Sequence, residues 1–175
     1  MLETPPDSSL WAPQPGNTVS AHLHLIVNHL PVLGPLLAVP VILLAWSRQD
    51  RGVWSAAVLL LLLSGVGALA ATWTGEPAEE QVEHLAGTSE AALERHEDRA
   101  LPATIATTTT AVVALGTLAL RVPVSAASPV VLVLTLLSAG AMGWTAQAGG
   151  QIRHPELRDT TAPLAELSHD ADHDD

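Results

Sequence analysis

Four apolar segments of about 20 residues dominate the hydropathy pattern, at residues 25–46, 53–73, 101–120 and 129–149. A helix rises about 1.5 Å per residue, so each segment is long enough to cross a hydrocarbon layer of about 30 Å. Short polar turns join the first segment to the second and the third to the fourth, whereas a longer acidic stretch joins the second to the third. The pattern predicts an all-α fold, an integral membrane four-helix bundle with a short helical extramembrane loop between helices 2 and 3.

The flanking segments are polar. Residues 1–21 are predicted to form an extramembrane arm, residues 22–150 the four-span transmembrane domain, and residues 151–175 a disordered tail. The first residues carry acidic but no basic side chains, so we expect the first span to be retained and not cleaved as a signal peptide. In the loop, residues 76–85 and 89–99 are predicted to form two amphipathic helical pieces separated at Gly87, with Ser89 as N-cap of the second.

Proline and glycine predict how the spans bend and pack. Three prolines of the first span each remove a backbone donor and predict kinks. They are Pro31, Pro35 and Pro40. Small residues predict two faces at which helices approach closely. These are Gly65 and Gly67 in the second span, and Gly140 and Gly143 in the fourth.

Composition narrows the class of protein. The 175-residue chain has a formal net charge of −11, which disfavours nucleic acid as a partner. It has no cysteine, so it offers neither a disulfide nor a thiolate ligand. Arginines are densest in the short turns, at Arg48, Arg51 and Arg121, which predicts that these turns face the cytoplasm. We therefore expect a multi-pass protein in the lipid bilayer of a bacterial inner membrane, with both termini periplasmic or extracellular.

This topology gathers polar side chains at one end of the bundle. The starts of spans one and three and the ends of spans two and four all lie on the same side. Ionisable residues at such positions usually face the bundle interior or a water-filled cavity. The candidate ligands there are His24, His29, Glu76, Glu80, His96, Glu97 and His154. The opposite end has no comparable set.

Three interpretations fit these residues. His29 and His96, from two different helices, are candidate axial ligands of haem b. Several histidines with carboxylates would instead hold a metal ion such as Fe, Zn or Cu. In the third interpretation the side chains only satisfy hydrogen bonds at helix ends. We find no nucleophile–base signature, phosphate loop or dinucleotide fingerprint, so no particular enzyme class is supported.

Short motifs in the same order along the chain resemble a family of small bacterial four-helix membrane proteins classed as a domain of unknown function. The first helix of that family carries His-Pro-x-x-Val-His-Phe-Pro, and His24, His29 and Pro31 match it, with Val27 near the position of the family's valine. Later elements match as well: Thr74-Gly75, His96, and Gly149-Gly150 with His154. The resemblance implies a four-span bundle with a shared histidine set and a redox or cofactor role.

Two functional hypotheses follow. In the first, the protein binds a metal ion or haem at its outer face and serves electron transfer or metal handling, with other membrane or redox proteins as partners. In the second, it is a non-catalytic accessory or structural subunit of a membrane complex, and the polar cluster is a docking surface or a network at helix ends.

Overall fold

The structure is a computed structural model that describes residues 15–82 and 88–154. These residues form five helices and no strand. The helices are α1 (Pro15–Val27), α2 (His29–Arg48), α3 (Arg51–Val82), α4 (Glu90–Ala119) and α5 (Val124–Arg153). The all-α prediction is therefore confirmed for this part of the chain. Four stretches are long and apolar enough to cross a membrane: Ser20–Arg48, Arg51–Glu80, Glu90–Ala119 and Val124–Ile152.

The first of these stretches contains a break at Asn28, between α1 and α2. Pro31 has no backbone N–H, so the carbonyl of Val27 loses its helical donor at this point. Helical geometry persists on both sides, because Asn28 N still donates to His24 O at 3.0 Å and Asn28 keeps right-handed helical angles. The observed effect of Pro31 is thus a local break, and α1 and α2 together form one long apolar stretch.

The four long helices form a ring. α2 packs against α3 and α5, and α4 packs against the same two helices, so α2 and α4 are diagonal to each other across the bundle axis. α1 packs mainly against α3. The outer faces expose large apolar side chains, among them Leu37, Leu59, Ile105 and Leu137, each more than half exposed. A bundle with so apolar an exterior is typical of a protein surrounded by lipid.

The two ends of the bundle differ. We call the end with the α2–α3 and α4–α5 connections the turn end, and the other the histidine end, because it contains His24 and His96. At the turn end, Asp50 Oδ1 accepts hydrogen bonds from Gly52 N at 2.7 Å and Val53 N at 3.1 Å, which caps α3. Arg51 Nη1 donates to Val122 O at 3.2 Å and so links the two turns.

Glycines let α3 approach its neighbours on both sides. A Cβ at Gly34 would overlap the Ser64 hydroxyl, and one at Gly67 would lie 2.5 Å from Leu30 Cβ. A Cβ at Gly65 would lie 2.8 Å from Ala111 Cβ, which confirms the predicted packing role of Gly65 and Gly67.

The same prediction is wrong for Gly140 and Gly143. Both are exposed, and a Cβ at either would meet nothing within 4 Å. The reason is rotational: α5 turns Met142 and Thr145 towards the bundle, so the two glycines lie on its outer face.

The acidic loop is shorter than the sequence predicts, because its helical pieces are continuous with the spans. α3 runs through Pro77 to Val82, and α4 begins at Glu90. Ser89 is the N-cap as predicted, since its hydroxyl oxygen accepts a hydrogen bond from Ala92 N at 3.3 Å. α1 begins at Pro15, inside the predicted arm. α5 continues to Arg153, so the first residues of the predicted tail, 151–175, are helical and not disordered. The rest of that tail from residue 155 and the predicted separation at Gly87 lie outside the described residues.

Candidate functional site

His24 is held between α1 and α3. Its Nδ1 lies 3.0 Å from the carbonyl oxygen of Ala71 and 3.3 Å from Thr74 Oγ1. The Thr74 hydroxyl itself donates to Ala70 O at 2.8 Å. The imidazole is half-buried and lies against Gly75, where a Cβ would be 3.6 Å from His24 Cε1.

His96 is held in the same manner between α4 and α5. Its Nδ1 lies 3.0 Å from the carbonyl oxygen of Thr145, and the ring lies against Gly149, where a Cβ would be 3.2 Å from Cε1 and Nδ1. The Thr145 hydroxyl donates back to Arg99 O at 3.0 Å, so the helices are tied together at this level. Like His24, the ring is half-buried.

The two histidines occupy equivalent positions. Each bonds to a carbonyl four residues before the glycine that its ring touches, Ala71 before Gly75 and Thr145 before Gly149. His96 lies on α4, and His24 lies on α1, which leads into α2, the helix diagonal to α4. The structure therefore places both predicted ligands at the histidine end, each held against a neighbouring helix.

The hydrogen bonds fix which ring nitrogen carries the proton. A carbonyl oxygen can only accept, so Nδ1 is the donor in both His24 and His96. In the neutral ring the lone pair is then on Nε2. A backbone acceptor on Nδ1 is also the usual orienting contact of a histidine that binds a metal through Nε2.

The other predicted ligands lie elsewhere on the surface of this end. His29 is exposed, and its Nδ1 donates to Leu25 O at 2.7 Å within the same stretch of chain. The remaining predicted residues are also exposed: Glu76, Glu80, Glu97 and His154. Within residues 15–82 and 88–154, no group of three or more histidines and carboxylates is placed to hold a metal ion.

Arg99 is a feature of the site that the sequence did not single out. Its guanidinium stacks over the Trp144 ring at 4.3 Å, and Nη1 donates to Trp144 O at 3.1 Å. The bond reaches the carbonyl next to the one that accepts from His96, so Arg99 strengthens the α4–α5 contact one turn away from the imidazole. The sequence feature that could have drawn attention to Arg99 is its i, i+3 spacing from His96, one turn before an apolar span.

Comparison of the chain with family models, characterised proteins and solved structures finds no match. The resemblance of the His24, His29 and Pro31 motif to a family of small membrane proteins therefore stays a prediction.

Proposed function

We propose that this protein is a bacterial inner-membrane b-type cytochrome that holds one haem between His24 and His96. The single observation that carries the proposal is the matched pair of imidazoles from diagonal positions in the bundle, each oriented by a backbone carbonyl at Nδ1. This arrangement leaves an Nε2 lone pair on each neutral imidazole, and two such nitrogens are what a six-coordinate haem iron takes from a protein.

Haem fits this pair better than a bare metal ion does. Structural zinc takes four protein ligands and catalytic zinc three, usually histidine, cysteine or carboxylate. The carboxylates nearest in sequence, such as Glu76 and Glu97, are exposed, and the described chain offers no third ligand beside the pair. The porphyrin supplies the other four ligands of a haem iron, so two histidines are enough.

Gly75 and Gly149 support the proposal through packing. Each imidazole lies against a helix at a glycine. A Cβ at Gly149 would lie tightly against the His96 ring at 3.2 Å, whereas one at Gly75 would be in ordinary contact with the His24 ring at 3.6 Å. The rings are thereby fixed on two sides, by the Nδ1 hydrogen bond and by contact with the helix. Such support keeps an axial ligand in one orientation and limits the reorganisation that accompanies a change in iron charge.

The proposed role is electron transfer. Bound haem iron would accept and release one electron, while the protein holds both axial imidazoles in place. The arginine-containing turn end would face the cytoplasm, which puts the haem near the periplasmic or extracellular face. Redox proteins that approach the histidine end would then be the partners.

Haem titration of the purified protein in detergent tests the proposal. We expect one haem per chain and an absorption spectrum of a six-coordinate low-spin iron. His24→Ala and His96→Ala should each remove that spectrum. His29→Ala is the matched control, because His29 is exposed and bonded only within its own stretch of chain.

The result that overturns the proposal is a wild-type protein that binds no haem, or one whose spectrum depends on His29 and not on His24. Size-exclusion chromatography of each variant separates loss of the ligand from loss of the fold. A folded protein without haem would favour the accessory-subunit hypothesis.

A further inference from the structure

Hydroxyl side chains form hydrogen-bonded pairs between helices at two levels of the bundle. The Thr72 and Thr104 hydroxyls share a hydrogen bond at 3.0 Å, and deeper in the bundle Thr110 and Ser138 share one at 2.8 Å. Beyond them, towards the turn end, the buried Ser128 and Thr135 hydroxyls bond to carbonyls of their own helix, beside a cluster of apolar side chains. The cluster contains Ala38, Ile42, Ala45, Trp54, Ala57, Val58, Leu61, Ala114, Val124, Ala127 and Val131.

Thr107 lies between these two hydroxyl pairs along α4, and the hydroxyls of Thr107 and of the next residue, Thr108, are both buried without a hydrogen-bond partner. The Thr107 side chain is 1% exposed. Other hydroxyls of the bundle bond to the carbonyl four residues earlier, as Thr110 does with Ala106 O at 2.8 Å. Thr107 does not make this bond to Ala103. A buried hydroxyl without a partner costs about 1–3 kcal/mol, so a partner is expected.

Small side chains surround this level of the bundle. Ala103, one turn before Thr107, packs with Ala68 and Met142. Thr110, one turn after Thr107, bonds to Ser138, one turn from Met142. Thr107 is therefore bracketed by Met142 and Ser138 of α5, at a level where alanines replace the bulky residues of the apolar cluster.

We propose that an internal water molecule binds at Thr107, in the layer of Ala68, Ala103 and Met142, inside the membrane-spanning part of the bundle. Buried waters typically make about three hydrogen bonds to otherwise unsatisfied groups. The Thr107 hydroxyl and the spare capacity of the Thr110–Ser138 pair supply hydrogen-bonding groups here. The ligand is water and not a cation, because no carboxylate is buried in this layer among the described residues.

This water extends the polar layer of the histidine end into the bundle. The Thr72–Thr104 pair lies between Thr107 and the histidines. The water does not depend on haem, since every group that binds it belongs to the chain.

X-ray radiolytic footprinting of the full chain in detergent tests the proposal. Hydroxyl radicals formed from bound water oxidise adjacent side chains, and Met142 is an oxidisable reporter that is only 6% exposed. We expect Met142 to be oxidised quickly in the wild type, and several-fold more slowly in Thr107→Val, which keeps the shape and removes the hydroxyl. Thr107→Ser should keep the fast rate.

Thr109→Val is the matched control, because Thr109 is exposed on the same helix and the substitution is chemically identical. Its Met142 rate should equal that of the wild type. Slow oxidation of Met142 in the wild type, or an equal rate in wild type and Thr107→Val, would overturn the proposal. Neither outcome bears on haem binding, which is measured separately.

Discussion

Replacing Gly34 by alanine tests how closely α2 and α3 pack. A Cβ at this position would overlap the Ser64 hydroxyl and lie 3.0 Å from Ser64 Cβ, with Leu60 O at 3.4 Å. Ser64 is fully buried, and its hydroxyl donates to Leu60 O at 2.7 Å. The added methyl group therefore forces the hydroxyl out of its hydrogen bond or moves the two helices apart.

The expected change in the free energy of unfolding follows from three contributions. Alanine gains about 1 kcal/mol over glycine in helix propensity. Overpacking a close contact typically costs about 1–3 kcal/mol, and a lost buried hydrogen bond costs about 1–3 kcal/mol more. We expect Gly34→Ala to lower the free energy of unfolding by about 2 kcal/mol, which corresponds to roughly 4–8 °C in Tm for a chain of this length.

Thermal unfolding in detergent measures the effect, and the chain offers its own control. Gly140→Ala makes the same change where nothing lies within 4 Å, so it should leave Tm unchanged or raise it slightly. Ser64→Gly combined with Gly34→Ala should recover most of the lost Tm, because it removes the side chain that the methyl group meets. A Gly34→Ala protein that melts at the wild-type temperature would refute the packing argument.

Two further predictions concern the histidine end and the turn end. Gly149→Ala should weaken haem binding about tenfold, since its Cβ would lie 3.2 Å from the His96 ring. Gly75→Ala should have little effect, because its Cβ would lie 3.6 Å from the His24 ring. Equal haem affinities of the two variants would contradict this prediction. Asp50→Ala should lower the free energy of unfolding by about 1 kcal/mol through loss of the α3 cap, while Asp50→Asn keeps an acceptor and should melt near the wild type. If the two Asp50 variants share one Tm, the cap contributes nothing.

Much of the fold follows from the sequence, because helix length and apolar runs are local properties. The four apolar segments coincide with the four helices that are long enough to span a membrane. The N-cap role of Ser89 was also readable, since capping depends on residue type and position alone. The continuation of α3 to Val82 was not, because Gly75 and Pro77 are residue types that usually mark a helix end, yet α3 runs through both.

The rotation of each helix about its own axis could not be predicted from the sequence in the same way. Gly65 and Gly140 look alike in sequence, yet one faces a neighbouring helix and the other faces outwards. Small residues suit a close contact but do not say on which side a neighbour lies. A hydrophobic pattern that is apolar all round, as in a membrane helix, removes the amphipathic signal that would orient it.

The choice between His24 and His29 could not be made from the sequence for a related reason. The sequence favoured His29 with His96 as a haem pair, whereas the structure leaves His29 exposed and holds the half-buried His24 against α3. The two histidines are five positions apart, so they lie on different faces of a helix, and spacing alone does not decide which one points inwards.

Axial-ligand substitution tests the central claim most directly. Electron paramagnetic resonance of the ferric haem protein should give the low-spin signature of two imidazole ligands, and His24→Met and His96→Met should each convert it to that of one imidazole and one thioether. His29→Met should leave the spectrum unchanged. A high-spin wild-type spectrum, or a spectrum that responds to His29→Met and not to His24→Met, would contradict the assignment of His24 and His96 as the ligand pair.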